Sequence, residues 1–295
     1  MTVEPVQCVL DARTDLAECP IWSPAEGAIY WADLNVGEVQ RFDPASGDSR
    51  MVAALGEPVG SFALASDSGL LVATRSGIYH MPPAGGARRV VARPLAPEAA
   101  HRLNDGRCDR SGRFWVGAAD ETRTRADAGL YRLDGIGRCE QVLGGLTLSN
   151  ALAFSPDGHT MYHADTPSHR VIAYPADPQT GALGPGRLFH HFAKDVDRPD
   201  GAAVDSLGRY WVALYGAGRM ACLSPQGQRL FDVAVPCHCP TMVAFGGTDL
   251  RTLYTTSARQ KRSEEELAAF PLSGAIFSVR VDAPGLPEPQ WKVPS

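Results

Sequence analysis

Short apolar strands alternate with polar, glycine-bearing turns along almost the whole chain, and one unit recurs six times. In each unit a short apolar strand runs into a turn and an aromatic-rich strand follows. The instances are IWSPAEGAIYWAD (21–33), FALASDSGLLVAT (62–74), GRCDRSGRFWVGA (106–118), LAFSPDGHTMYHA (152–164), AAVDSLGRYWVAL (202–214) and MVAFGGTDLRTLYTT (242–256). The turn glycines of the first five are Gly27, Gly69, Gly112, Gly158 and Gly208, spaced 42, 43, 46 and 50 residues apart. A third strand follows each pair, with the alternation of a half-buried strand, as in V-Q-R-F, I-Y-H-M and L-Y-R-L. Fourth strands are expected at 50–55, 88–93, 139–144, 186–192 and 228–235. Four short strands repeated every 40 to 50 residues predict an all-β, six-bladed β-propeller. The six units account for residues 1–295 as one domain, with the Pro/Gly-rich segment from Pro284 to Pro289 as a closing connection or a loop.

The turn glycines also supply a register. Eight residues back from Gly69, Gly112, Gly158 and Gly208 stand Ser61, Asn104, Asn150 and Asp200. The first turn is one residue longer, so nine back from Gly27 stands Glu18, and eight back from Asp249 stands Thr241. Each precedes the strand that should line the central channel. Equivalent positions in quasi-symmetric blades form a ring about the axis, so these six polar residues should converge. Two carboxylates and two amides in one ring suit a hard divalent cation. Taken singly, Asn104-Asp105-Gly106 and Pro199-Asp200-Gly201 are also ordinary turn sequences.

Charge and composition narrow the partners. The net charge is −5 with no long run of one sign, which argues against nucleic acid. No segment approaches 18 consecutive apolar residues, so no membrane span is expected, and the N-terminus lacks the basic start and apolar run of a secretory signal. Seven scattered cysteines suit free thiols in a reducing compartment. Cys237-His238-Cys239 has the wrong spacing for a zinc finger. Arg259 to Glu266 reads as a solvated loop or short helix. His163, His190, His191 and His238 read as strand or loop residues, since nothing pairs them with a nucleophile. Trp115 and Trp211, at matching repeat positions, read as inter-blade core.

The stretches LAECPIWSP (16–24), RLNDGRCDRSGRFWVG (102–117), LSNALAFSPDGHTMYHADT (148–166), RPDGAAVDSLGRYWVAL (198–214) and FGGTDLRTLYTTSAR (245–259) together resemble the family of senescence marker protein (regucalcin), gluconolactonase and related sugar lactonases. The resemblance implies a six-bladed propeller with one catalytic divalent metal ion (Ca, Zn, Mn, Mg or Fe(II)) on Glu18, Asn150 and Asp200. It places substrate contacts on Arg102 and Asn104, and an acidic contact near Asp120-Glu121, carried here on Glu121. The implied reaction is hydrolysis of a small-molecule sugar lactone, with Asp200 as general base, in a cytoplasmic protein. A self-contained propeller is expected to be a monomer. Where the family often has Gly after the ligand Glu, this chain has Cys19, which bears on metal preference. The competing readings are a non-catalytic metal- or ligand-binding propeller and a metal hydrolase acting on another lactone or a phosphoester.

Overall fold

The structure is a computed structural model and describes residues 4–83, 86–135 and 138–294. Its strands form six four-stranded antiparallel sheets. β1 (Gln7–Leu10) comes first in the chain and belongs to the last blade. The first blade is β2 (Ala17–Ser23), β3 (Ala28–Asp33), β4 (Glu38–Phe42) and β5 (Ser49–Ala54). The second is β6 (Val59–Leu64), β7 (Leu70–Thr74), β8 (Ile78–Met81) and β9 (Arg89–Ala92). The third is β10 (His101–Cys108), β11 (Phe114–Asp120), β12 (Ala128–Gly135) and β13 (Arg138–Leu146). The fourth is β14 (Ser149–Phe154), β15 (Thr160–Asp165), β16 (Arg170–Pro175) and β17 (Arg187–His191). The fifth is β18 (Arg198–Val204), β19 (Tyr210–Tyr215), β20 (Arg219–Leu223) and β21 (Arg229–Ala234). The sixth is β22 (Pro240–Gly246), β23 (Thr252–Ser257) and β24 (Ile276–Arg280).

The first strands of the blades, β2, β6, β10, β14, β18 and β22, each pack against the first strands of both neighbours, so they close a ring around the axis. The predicted six-bladed β-propeller is therefore the observed fold. The sixth blade takes its fourth strand from the other end of the chain: β1 pairs antiparallel with β24. Closure comes from this N-terminal strand and not from the proline-rich C-terminal segment.

That segment has a different place. Pro284 accepts from the amide of Ser206, and the Gly285 amide donates to Leu250. Glu288 pairs with Arg107, and Trp291 bridges to Ala65. These contacts fall on the far halves of the first strands and on their turns into the second. The tail thus crosses the end of the channel opposite the ring residues.

The core lies between blades. Phe62, Val72, Tyr30 and Val39 join the first two, and Tyr162, Phe189, Tyr210 and Val212 join the fourth and fifth. Trp115 and Trp211 are fully buried, as the repeat position predicts. Each indole N–H is satisfied by a carboxylate from the preceding turn, which also holds an arginine. Asp109 Oδ2 accepts from Trp115 Nε1 (2.9 Å) and Arg113 Nε (2.6 Å). Asp205 Oδ2 accepts from Trp211 Nε1 (3.0 Å) and Arg209 Nε (2.6 Å). The recurring D-x-x-G-R-aromatic-W is therefore a turn that carries its own buried ion pair. At the other end of the sixth blade, α1 (Glu264–Ala269) starts at Ser263, whose hydroxyl caps the Glu266 amide.

Candidate metal centre and active site

The ring predicted from spacing exists on the six inner strands. Glu18, Ser61, Asn104, Asn150, Asp200 and Thr241 lie on β2, β6, β10, β14, β18 and β22, and all six are buried. Each sits at or beside a slip in its strand's register with the next strand: Glu18/Ile21, Val59/Ser61, Leu103/Gly106, Asn150/Ala153, Pro199/Ala202 and Pro240/Val243. A bulge re-aims a side chain and ends regular pairing, and here it recurs once per blade. Two of the bulges need a left-handed backbone on the next residue, Cys19 (φ 54°) and Ala151 (φ 57°). A glycine would take that conformation without strain, which is the physical sense of the family's glycine. The Cys19 thiol turns to the carbonyl of Gly60 in the second blade, 3.7 Å away, and burial pushes its pKa well above the usual thiol range. It is a protonated packing group with its hydrogen directed at a carbonyl.

Hydrogen bonds fix the amides. Asn104 Nδ2 donates to Asn150 Oδ1 (2.7 Å) and to the carbonyl of Ser149 (3.0 Å), using both of its N–H groups. Asn150 Nδ2 donates to Thr166 Oγ1 (2.9 Å), and that hydroxyl donates onward to the carbonyl of Pro199 (2.8 Å). This chain of bonds orients Asn150 with Oδ1 keeping a second lone pair. Thr166 has no counterpart in the ring, and sequence reading gave it no role although it closes one of the motifs.

The two carboxylates are different. Glu18 and Asp200 make no hydrogen bond or ion pair among the described residues. Burial pushes the Glu18 carboxyl up to about 8, with Arg102 and Arg123 pulling it down and Asp105 pushing it up. Asp200 is held well above the ordinary carboxylate range by burial and by repulsion from Glu18 and Asp105. Two unpaired buried acids beside one oriented amide oxygen form a costly arrangement, and a divalent cation is what would relieve it. Three oxygen donors of this kind fit such an ion and leave positions open for water and substrate.

Above the ring opens a cavity of about 380 Å³, whose lining includes Arg102, Glu121, Arg123 and Lys261. Glu121 pairs there with Arg75. Its neighbour Asp120 is turned into its own loop, accepting from Thr122 Oγ1 (2.6 Å) and the amides of Thr124 and Arg125 (both 2.9 Å). Of this adjacent acidic pair, Glu121 is the one that reaches the cavity. Arg123 and Lys261 escaped sequence reading because neither stands at a repeat position.

The structure pairs one histidine with a hydroxyl, which sequence reading did not anticipate. His163 Nε2 lies 2.7 Å from Ser149 Oγ. Ser149 packs on Gly117 of the third blade, where an added Cβ would fall 1.9 Å from the hydroxyl oxygen. The pair is therefore wedged between blades and is structural. Burial lowers the His163 pKa to about 4 from 6.5. The neutral ring stabilises the fold above pH 6.5, and that contribution is lost as pH falls toward 4. The expected loss from this group is up to about 3 kcal/mol. Denaturant titrations between pH 7 and 4 check it, and His163→Gln should flatten that slope. His238 is also engaged at both ring nitrogens, by Glu266 and by the carbonyl of Gly216. With Cys239 and Glu266 it forms a cluster of potential ligand atoms, in which one ring nitrogen faces Glu266 of α1 and the other the carbonyl of Gly216.

Known proteins share this chain's fold and much of its sequence. The family model described as SMP-30/Gluconolactonase/LRE-like region matches residues 16–259. The chain is 46% identical over 288 residues to a 6-deoxy-6-sulfogluconolactonase of Pseudomonas putida, covering 97% of this chain and 98% of that protein. It is 30% identical over 280 residues to regucalcin of Gallus gallus, covering 93% of each. Among solved structures, a calcium-binding regucalcin from Agrobacterium tumefaciens superposes with a TM-score of 0.93 at 28% identity, over 99% of this chain and 100% of that one.

Proposed function

The chain belongs to the SMP-30/gluconolactonase/LRE-like family and is a lactonase; from that premise we propose that it opens an aldonolactone to the aldonic acid with one divalent cation held by Glu18, Asn150 and Asp200. One observation carries the reading: two buried carboxylates without a partner among the described residues stand beside an oriented amide oxygen, under a polar cavity. When bound, a divalent ion supplies Lewis acidity at the lactone carbonyl and stabilises the developing oxyanion.

The chain's own groups do the rest. Asp200 takes the proton of the attacking water as its oxygen adds to the carbonyl carbon. When the bond from that carbon to the ring oxygen breaks, the same proton passes to the leaving alkoxide. Glu18 supplies the second negative charge that holds the site together. Asn104 has spent both N–H groups on its neighbours, so it offers a sugar hydroxyl its Oδ1 as acceptor. Arg102 donates to, and Glu121 accepts from, other hydroxyls and together they orient the ring.

The cavity wall argues against the competing ester reading. A greasy substrate would leave Arg102, Arg123 and Lys261 desolvated and unpaired. The Pseudomonas putida relative is named for a six-carbon lactone, which puts hexonolactones first in a panel. The test is acid release from freshly prepared pentono- and hexonolactones, before and after metal stripping. Acceleration that disappears on stripping and returns with one cation is expected. Undiminished turnover by stripped protein would overturn the metal-dependent reading. No turnover by any metal-loaded form would point to the binding-protein alternative.

A further inference from the structure

We propose that the mouth of the cavity is an anion clamp, in which Arg123 and Lys261, flanked by Arg75, grip a sulfonate or phosphate carried by the sugar lactone on the carbon farthest from its carbonyl. This rests on the lactonase reading and names the substrate class and the residues that select it.

The first ground is charge. Four cations, Arg75, Arg102, Arg123 and Lys261, line one cavity against a single acid, Glu121. The chain as a whole is acidic, at −5, so composition does not account for this concentration of positive charge. Glu121 is already paired with Arg75. Among the described residues Arg102 donates only to the carbonyl of its neighbour Leu103, at 3.3 Å. The Arg123 guanidinium and the Lys261 ammonium make no hydrogen bond or ion pair among the described residues. The acids that act most strongly on the Arg123 charge are Glu18 and Asp200 of the ring, ahead of Asp120 and Asp165, and the first two are assigned to the metal.

The second ground is backbone conformation. Arg123 (φ 59°) and Lys261 (φ 58°) both adopt the left-handed region. Glycine would do so freely, whereas a long side chain is strained there. Both loops are pinned from beneath. The Arg123 amide donates to the carbonyl of Asp120 at 3.1 Å. The amides of Arg259 and Gln260 both donate to the carbonyl of Asp15 at 2.9 Å, which sets the turn that presents Lys261. Two unrelated loops, from the third and sixth blades, thus hold strained cations over one opening.

The third ground is depth. The carbonyl of the lactone belongs at the ring of Glu18, Asn150 and Asp200, on the floor. The substituent most remote from the carbonyl then lies at the mouth. A terminal hydroxyl there would leave two cations without a counter-charge. A tetrahedral oxyanion offers three acceptor oxygens, which a guanidinium fork and an ammonium can share.

The test compares glucono-δ-lactone with its 6-sulfonate and 6-phosphate counterparts, using metal-loaded wild type, Arg123→Gln, Lys261→Gln and Arg123→Lys. Wild type is expected to favour an acid-bearing lactone in kcat/KM by at least about ten-fold, and more at low salt. Each Gln variant should lower that preference about ten-fold, chiefly through KM, and Arg123→Lys should recover part of it. The better of the two anions identifies the natural group. Equal kcat/KM for neutral and acidic lactones, or equal losses on both in the variants, would overturn the clamp. Calorimetric binding of the open-chain 6-sulfonate acid and of gluconate needs no turnover. Tighter binding of the sulfonate, weakened in Arg123→Gln, supports the clamp even where hydrolysis fails, and equal binding of the two acids rejects it.

Discussion

Asp200→Asn is expected to lower kcat by about three orders of magnitude, within the range for loss of a general base, without unfolding the protein. Asparagine keeps the shape of the side chain and one acceptor oxygen. It removes the proton acceptor and one of the two charges that hold the cation. Stability should move the other way in stripped protein. Asp200 is buried, unpaired and repelled by Glu18 and Asp105, so neutralising it relieves strain. Metal-free Asp200→Asn should melt at or above metal-free wild type while turning over far more slowly. The check is kcat at saturating metal beside a thermal melt after chelation. Turnover at the wild-type level would remove Asp200 from the chemistry.

Trp291→Ala should act on stability with the reverse separation. Trp291 is only 1% exposed and packs with Leu71, Phe114 and Leu133 of the second and third blades. Its amide donates to the carbonyl of Leu64 at 2.9 Å, and its ring lies 5.4 Å from that of His80. Truncating a buried tryptophan costs about 3–5 kcal/mol, and the C-terminal segment has few other apolar anchors. The loss is expected in chemical denaturation, with kcat changed less than two-fold or so, because the tail caps the end of the channel away from the ring. A loss under about 1 kcal/mol would mean that the tail is a loose strap.

The ring was legible in the sequence for a mechanical reason. Each first strand runs into a hairpin turn whose glycine is easy to find, and the step from ring residue to glycine is constant, so counting back from Gly69, Gly112, Gly158 and Gly208 lands on the same height of the channel each time. The bulges do not disturb the count because every blade has one. Closure by β1 was not legible: QCVL is four residues long, carries no turn signal, and pairs with a strand more than 260 residues away. The C-terminal cap makes its contacts without forming a strand, so periodicity has nothing to detect. Arg123 and Lys261 lie in connections between second and third strands, which differ in length from blade to blade and have no repeat register. The left-handed turn at Cys19 is visible only in coordinates.

The most direct measurement is calorimetric titration of a divalent cation into stripped protein, for wild type, Glu18→Gln and Asp200→Asn. Convergence of these residues on one ion predicts a single site in wild type that is lost, or weakened at least about a hundred-fold, in each variant. Binding of undiminished affinity and stoichiometry in both variants would contradict it, and would place the cation elsewhere in the protein.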